Sequence, residues 1–262
     1  MTREDFLARI RRPLARKTSG RDDWYRIQNK AGEASKLYIY DEIGYWGDTA
    51  KGLVDDLKNV TGDTLEVHLN SPGGDIFDGL AIYQALKDHS ASVTVHIDGL
   101  AASIASVIAM AGDRIVMSPK ASMMIHDGWT MAVGNGAELR KTADLLDKQS
   151  SIIASVYADR SGIAADTWRA AMVEETWYTA QEALDAGLVD EVEGLKKAEA
   201  DDPFDLGVFA HAGRDKAPAP VAKVTEPQTS PAVPSVEPKS TEPVLAFAGL
   251  GDLLKSALTG RE

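Results

Sequence analysis

One serine, one histidine and a pair of glycines are the residues of this chain whose types and spacing suit catalysis. Ser103 lies in Gly99-Leu100-Ala101-Ala102-Ser103-Ile104-Ala105-Ser106, where a strand pattern delivers the chain to a helix start of small residues. Unpaired N–H groups and the helix dipole at such a start stabilise an alkoxide-like transition state. Small residues equally serve close helix packing, with Ser103 or Ser106 as polar filler, so a catalytic reading needs a base.

The chain has five histidines. His68 and His96 fall in strand patterns and are expected to be satisfied packing residues. His89 ends a helix and is expected to serve its C-terminal carbonyls. His211 lies where an acidic stretch turns Pro-rich and is expected to have no fixed neighbours. His126 differs, because it ends the strand pattern Met123-Met124-Ile125-His126 beside Asp127-Gly128, where a rigid scaffold projects side chains into a loop. Serine is a poor nucleophile until an imidazole accepts its proton, and the imidazole needs an acid to fix its tautomer. Spacing alone does not identify that acid. The turn Asn70-Ser71-Pro72-Gly73-Gly74-Asp75 follows a strand and precedes a helix, and its paired glycines let main-chain N–H groups approach an anion or oxyanion. No Gly-Lys-Ser/Thr follows it, so nucleotide binding has no support.

Positioning these residues requires a packed scaffold, and 262 residues with 44% hydrophobic content are enough to bury a core. Short strands are predicted at Leu37–Tyr40, Leu65–Leu69, Val93–Ile97, Ile115–Met117, Met123–His126 and Leu188–Val192. Helices are predicted at Ile76–Lys87, Ala101–Ala111, Ala137–Asp159 (after Gly134 and Gly136), Asp166–Met172 and Ala180–Ala186. Strands alternating with helices predict an α/β fold with parallel strands.

Four segments are expected: a basic arm over 1–30, a folded domain over 31–200, an acidic then Pro-rich linker over 201–243, and a short amphipathic segment over 244–262. Pro-rich sequence buries too little to offset its ordering entropy. A net charge of −12 argues against generic nucleic-acid binding. The absence of Cys excludes disulfides, thiol nucleophiles and Cys-ligated zinc. No stretch approaches the ~20 apolar residues of a membrane span, and residues 1–20 carry charges throughout. A soluble, cytoplasmic protein is expected.

Leu69-Asn70-Ser71-Pro72-Gly73-Gly74, Gly99-Leu100-Ala101-Ala102-Ser103-Ile104, Met124-Ile125-His126 and Trp177-Tyr178-Thr179-Ala180-Gln181-Glu182-Ala183-Leu184-Asp185-Ala186-Gly187-Leu188-Val189-Asp190 occur in that order. Together they resemble the proteolytic subunit of the Clp protease family across about Leu37–Val192. The resemblance implies a Clp/crotonase spiral of ββα units, with the long helix as a handle between stacked homo-oligomeric rings. It implies a serine endopeptidase acting on polypeptides, with Ser103 as nucleophile and His126 as base. Gly74 and Ile104 would supply the oxyanion-hole N–H groups, with Gly73 shaping the turn. It needs no metal or other cofactor. The family's acid is usually Asp; Glu175 stands at that position here, with Glu174 and Asp127 as competitors.

The run Tyr40-Asp41-Glu42-Ile43-Gly44-Tyr45-Trp46-Gly47 resembles the Clp-related head-maturation proteases of tailed bacteriophages, which implies capsid and scaffold substrates within an assembling prohead in the host cytoplasm. Alternatives are a housekeeping-type subunit fed by a separate ATP-dependent unfoldase, a crotonase-type acyl-CoA enzyme, a Ser-Lys peptidase, and an idle ring-forming scaffold.

Overall fold

The computed structural model describes residues 24–29, 34–44, 49–60, 62–193 and 204–220. The expected segment 244–262, and all of the expected arm but residues 24–29, lie outside them. In chain order the elements are β1 (Tyr25–Gln28), β2 (Ser35–Ile39), α1 (Ala50–Leu57), β3 (Thr64–Ser71), α2 (Ile76–Lys87), β4 (Ser92–Ala102) and α3 (Ile104–Ala109). There follow β5 (Arg114–Met117), β6 (Ser122–Ile125), α4 (Gly136–Ser161), α5 (Ala165–Val173), β7 (Thr176–Thr179), α6 (Ala180–Asp185) and β8 (Glu191–Val192). No helix among the described residues is long and apolar enough to cross a membrane.

Period-two alternation builds the sheet. Leu37, Ile39, Leu65, Val67, Leu69, Val93, Val95 and Ile97 are buried on one face, where they join Leu53 and Leu57 of α1 and Ile82 and Leu86 of α2 in one apolar core. The opposite face carries Lys36, Tyr38, Glu66, His68, Thr94 and His96, all partly exposed. The predicted α/β class holds: β2, β3, β4, β5 and β8 run parallel in that order, while β1 adds to β2 and β7 adds to β6 in antiparallel fashion.

The course of β4 places the candidate nucleophile. Its first part pairs with β5 through Thr94–Ile97, and its last residues, Leu100–Ala102, pair instead with Ser122–Met124 of β6. The ends of β4 and β6 therefore lie side by side, which brings Ser103 and His126 together across 23 positions of sequence. This pairing also corrects the predicted helix over Ala101–Ala111, because ladder bonds hold the chain extended to Ala102 and α3 starts only at Ile104.

The long helix α4 starts with a capping box between Asn135 and Glu138 and ends at Gly162, whose φ of 74° suits glycine. Its C-terminal half packs through Ile153, Ala154 and Tyr157, whereas Leu139 and Leu145 in the other half are exposed. One expectation is corrected at the end of the folded part. The linker was expected from 201, yet Phe204 and Phe209 are buried against Leu100, Ala102, Met124 and Trp177 in a second apolar cluster. Two aromatic side chains give this segment enough surface to bury before the proline run begins.

Candidate active site

Ser103 adopts φ 53° and ψ −130°, a conformation that costs a non-glycine residue roughly 1–3 kcal/mol. Its own N–H is committed to Met124 O at 2.9 Å, which fixes the backbone while the side chain projects. The hydroxyl lies 2.7 Å from Nε2 of His126, within reach for proton transfer. Burial pushes the His126 imidazole below its ordinary pKa, and the charges of Glu175 and then Asp127 oppose that shift. The ring is therefore neutral near pH 7 and able to accept the hydroxyl proton.

The glycine turn is built around the same serine. A side chain at Gly73 would place Cβ 2.7 Å from Ser103 Cβ and 3.2 Å from the Ile104 nitrogen. Ser71 Oγ accepts the Gly73 N–H at 3.1 Å and donates to Asp41 O at 2.7 Å. Ile43 N–H donates to Gly73 O, and Asp75 N–H donates to Ile43 O. A Cβ at Gly74 would stand 2.1 Å from Ile43 O, so only glycine fits this close approach. The N–H groups of Gly74 and Ile104 have no acceptor among the described residues.

The candidate acids separate by environment. Glu174 is exposed. Asp127 is ion-paired with Arg169, which also reaches Asp147. Glu175 is buried, at 8% exposure and φ 52°. Its Oε1 accepts Trp177 Nε1–H at 3.1 Å and His211 N–H at 2.7 Å, and its Oε2 accepts Ala210 N–H at 2.7 Å. No hydrogen bond joins it to His126 among the described residues; its influence on the imidazole is through charge.

The ring of Phe209 meets His126 edge-on at 6.0 Å and Trp177 at 5.7 Å. These contacts correct the expectation that His211 has no fixed neighbours: its backbone is tied to Glu175. Sequence reading missed Phe209, Ala210 and His211 as parts of the site. The available signal was the apolar set Phe204, Leu206, Val208 and Phe209 ahead of the prolines.

Other candidates fall elsewhere. Ser106 is fully buried, donates to Ser103 O at 2.5 Å and bonds the Tyr157 hydroxyl at 2.8 Å, which is the packing role. His89 serves a helix end, though not its own: Nε2 faces Leu57 O of α1 at 3.3 Å, and Nδ1 accepts Ala91 N–H. His68 and His96 were expected to be satisfied, yet Nε2 of the first and Nδ1 of the second are buried without a hydrogen-bond partner among the described residues.

Comparison with known proteins places the chain in a known family. Residues 19–195 match the family described as Clp protease. The chain is 35% identical over 133 residues to an ATP-dependent Clp protease proteolytic subunit of Bacteroides fragilis, a stretch covering 50% of this chain and 64% of that protein. A subunit of the same name from Ligilactobacillus salivarius is 35% identical over 133 residues, 50% of this chain and 68% of its own length. One from Deinococcus radiodurans is 30% identical over 130 residues, covering 49% of this chain and 64% of that protein. The matched stretch thus spans less than two thirds of the Bacteroides and Deinococcus proteins.

Proposed function

The chain belongs to the Clp protease family, and from that premise we propose that it is a serine endopeptidase with Ser103 as nucleophile, His126 as general base and Glu175 as orienting acid. The observation that carries this reading is the 2.7 Å approach of the Ser103 hydroxyl to His126 Nε2, made by a serine in a strained conformation beside two N–H groups without acceptors among the described residues.

The chemistry follows from these positions. As Ser103 Oγ attacks a scissile carbonyl, its proton passes to His126 Nε2. The negative charge of Glu175 stabilises the resulting imidazolium, and the Gly74 and Ile104 amides hold the tetrahedral oxyanion. Losing one such donor typically costs about 10²–10³ in rate. His126 then protonates the leaving amine, and water, activated by the same imidazole, releases the acyl group. The extended peptide lies along the Gly73–Gly74 segment, adding main-chain hydrogen bonds.

A homo-oligomeric, stacked-ring assembly suits the exposed Trp129, Met131, Val133, Leu139 and Leu145 around the start of α4, since such apolar surface favours a partner. The finer assignment is to phage head maturation, with capsid and scaffold polypeptides as substrates. It rests on the sequence from Tyr40 to Gly47 and on the long extension after the folded domain. A housekeeping subunit fed by a separate ATP-dependent unfoldase is the alternative. A catalytically idle ring component is a second reading, favoured by Phe209 packing on His126 and by the tail amides that occupy Glu175.

Intact-mass spectrometry after fluorophosphonate treatment tests the proposal. One adduct, mapped to Ser103 and missing in Ser103→Ala, is expected. A folded wild-type chain that takes no adduct, free or assembled, overturns it in favour of the idle component.

A further inference from the structure

The face of the sheet turned away from the apolar core carries a compact polar cluster. Register pairs Lys36 with Glu66, Tyr38 with His68, and His68 with His96 on β2, β3 and β4. The rings of Tyr38, His68 and His96 form a stack, with centroids 4.8 Å and 4.9 Å apart. One atom from each of Glu66, His68 and His96 lies within 4.8 Å of the other two.

Orientation distinguishes this cluster from a chance meeting of polar groups. Asp98, itself an acceptor for the Tyr40 hydroxyl, lies 3.0 Å from His68 Nδ1. An Nδ1–H donated there leaves Nε2 as a lone pair, and Nε2 points toward Glu66, 3.7 Å from its carboxylate. This Nε2 and His96 Nδ1 are both buried and without a hydrogen-bond partner among the described residues. Two buried imidazole nitrogens left unpaired would each carry a desolvation penalty, and the first of them adjoins the Glu66 carboxylate. A carboxylate that orients a histidine from behind is the usual support of a metal-bound imidazole.

We propose that Glu66, His68 and His96 form a binding site for a zinc-class divalent transition-metal ion, separate from the Ser103–His126 pair. His96 stands seven residues before Ser103, which directly follows the end of the same strand, and at about 3.3 Å per residue this separates the two by roughly 20 Å. Two imidazoles and a carboxylate suit zinc, with a water in the fourth position. Metal–nitrogen bonds of about 2.0–2.1 Å draw the donor atoms to roughly 3.4 Å from one another, a closure that side-chain rotation can supply. Lys36, ion-paired with Glu66, is the cation that the metal displaces.

The test is calorimetric titration of the chelator-treated full chain with Zn²⁺, repeated with Co²⁺ to read ligand geometry from the visible spectrum. One ion per chain is expected. Glu66→Gln, His68→Asn and His96→Asn should each weaken binding at least tenfold, and Asp98→Asn by about 10–100-fold. Lys36→Gln should tighten it. His126→Asn should leave it unchanged, since that residue is not a ligand. Thermal unfolding of the metal-free variants checks that each folds; if the histidine variants do not, the nearly isosteric Glu66→Gln decides. Absence of Zn²⁺ binding by wild type, which would leave a buried water between the imidazoles, overturns the proposal. So does binding that survives Glu66→Gln and the histidine variants, or that disappears with His126→Asn.

Discussion

The Glu175 carboxylate accepts the backbone N–H of His211 at 2.7 Å, across 36 positions of sequence. A segment beyond the Clp-like core is thereby fastened to the wall of the candidate active site. Ala210 adds a second amide and Trp177 an indole N–H. Oε1 accepts two of these bonds and Oε2 one, so Oε2 keeps a lone pair for an imidazole N–H.

Glu175→Gln should lower kcat/KM by roughly 10²–10⁴-fold, the range set by loss of general acid–base function and of the orienting acid. The sign of the accompanying pH effect is fixed. The Glu175 charge raises the His126 pKa against burial, so its removal moves the acid limb of the kcat/KM profile to lower pH. An unmoved limb with a near-wild-type rate assigns the acid role to another group.

Phe209→Ala should move that limb the other way. Burial is the main cause of the depressed His126 pKa, and Phe209 supplies part of the cover. Hydrating the ring favours its charged form, so the pKa rises toward the ordinary value of about 6.5. NMR titration of the imidazole reads this shift independently of turnover.

Gly73→Ala should abolish fluorophosphonate labelling while the chain still folds. The added methyl meets Ser103 Cβ at 2.7 Å and Ala102 O at 2.8 Å, at a φ of 100°. Something must move, and the nearest side chain is Ser103, the proposed nucleophile. Expected destabilisation is about 1–3 kcal/mol. Wild-type labelling of the variant would show that the turn tolerates displacement.

Ser106→Ala should destabilise the fold by about 1–3 kcal/mol, because the fully buried Tyr157 hydroxyl loses its partner. Adding Tyr157→Phe should recover part of that loss by removing the orphaned group. Urea unfolding midpoints of the single and double variants measure both effects; additive losses would mean that the two hydroxyls act independently.

Much of this protein was legible from residue order. Period-two alternation gave the central strands, and the apolar spacing of Ile76, Leu80, Tyr83 and Leu86 gave α2 with its observed bounds. The order of four motifs gave the family resemblance, and it was that resemblance, rather than residue types alone, that singled out Ser103 over Ser106 and paired it with His126. β1 and α1 went unread because their value lies in pairing with β2 and in covering the sheet, which local sequence does not express.

The sequence by itself determined the composition of each face, the glycines that let backbone approach backbone, and the residue types available for catalysis. Tertiary structure decided which of them meet. Glu175, which the resemblance set at the acid's position with Glu174 as a competitor, is buried where Glu174 is exposed, since adjacent residues on a turn point in different directions. The Phe209 segment was committed to the site by apolar surface that nothing local offers to cover. Likewise, strand register alone juxtaposed Glu66, His68 and His96. Local pattern sets which way a side chain faces, but hydrogen-bonded pairing between distant strands sets its neighbour, and catalysis and metal binding depend on neighbours.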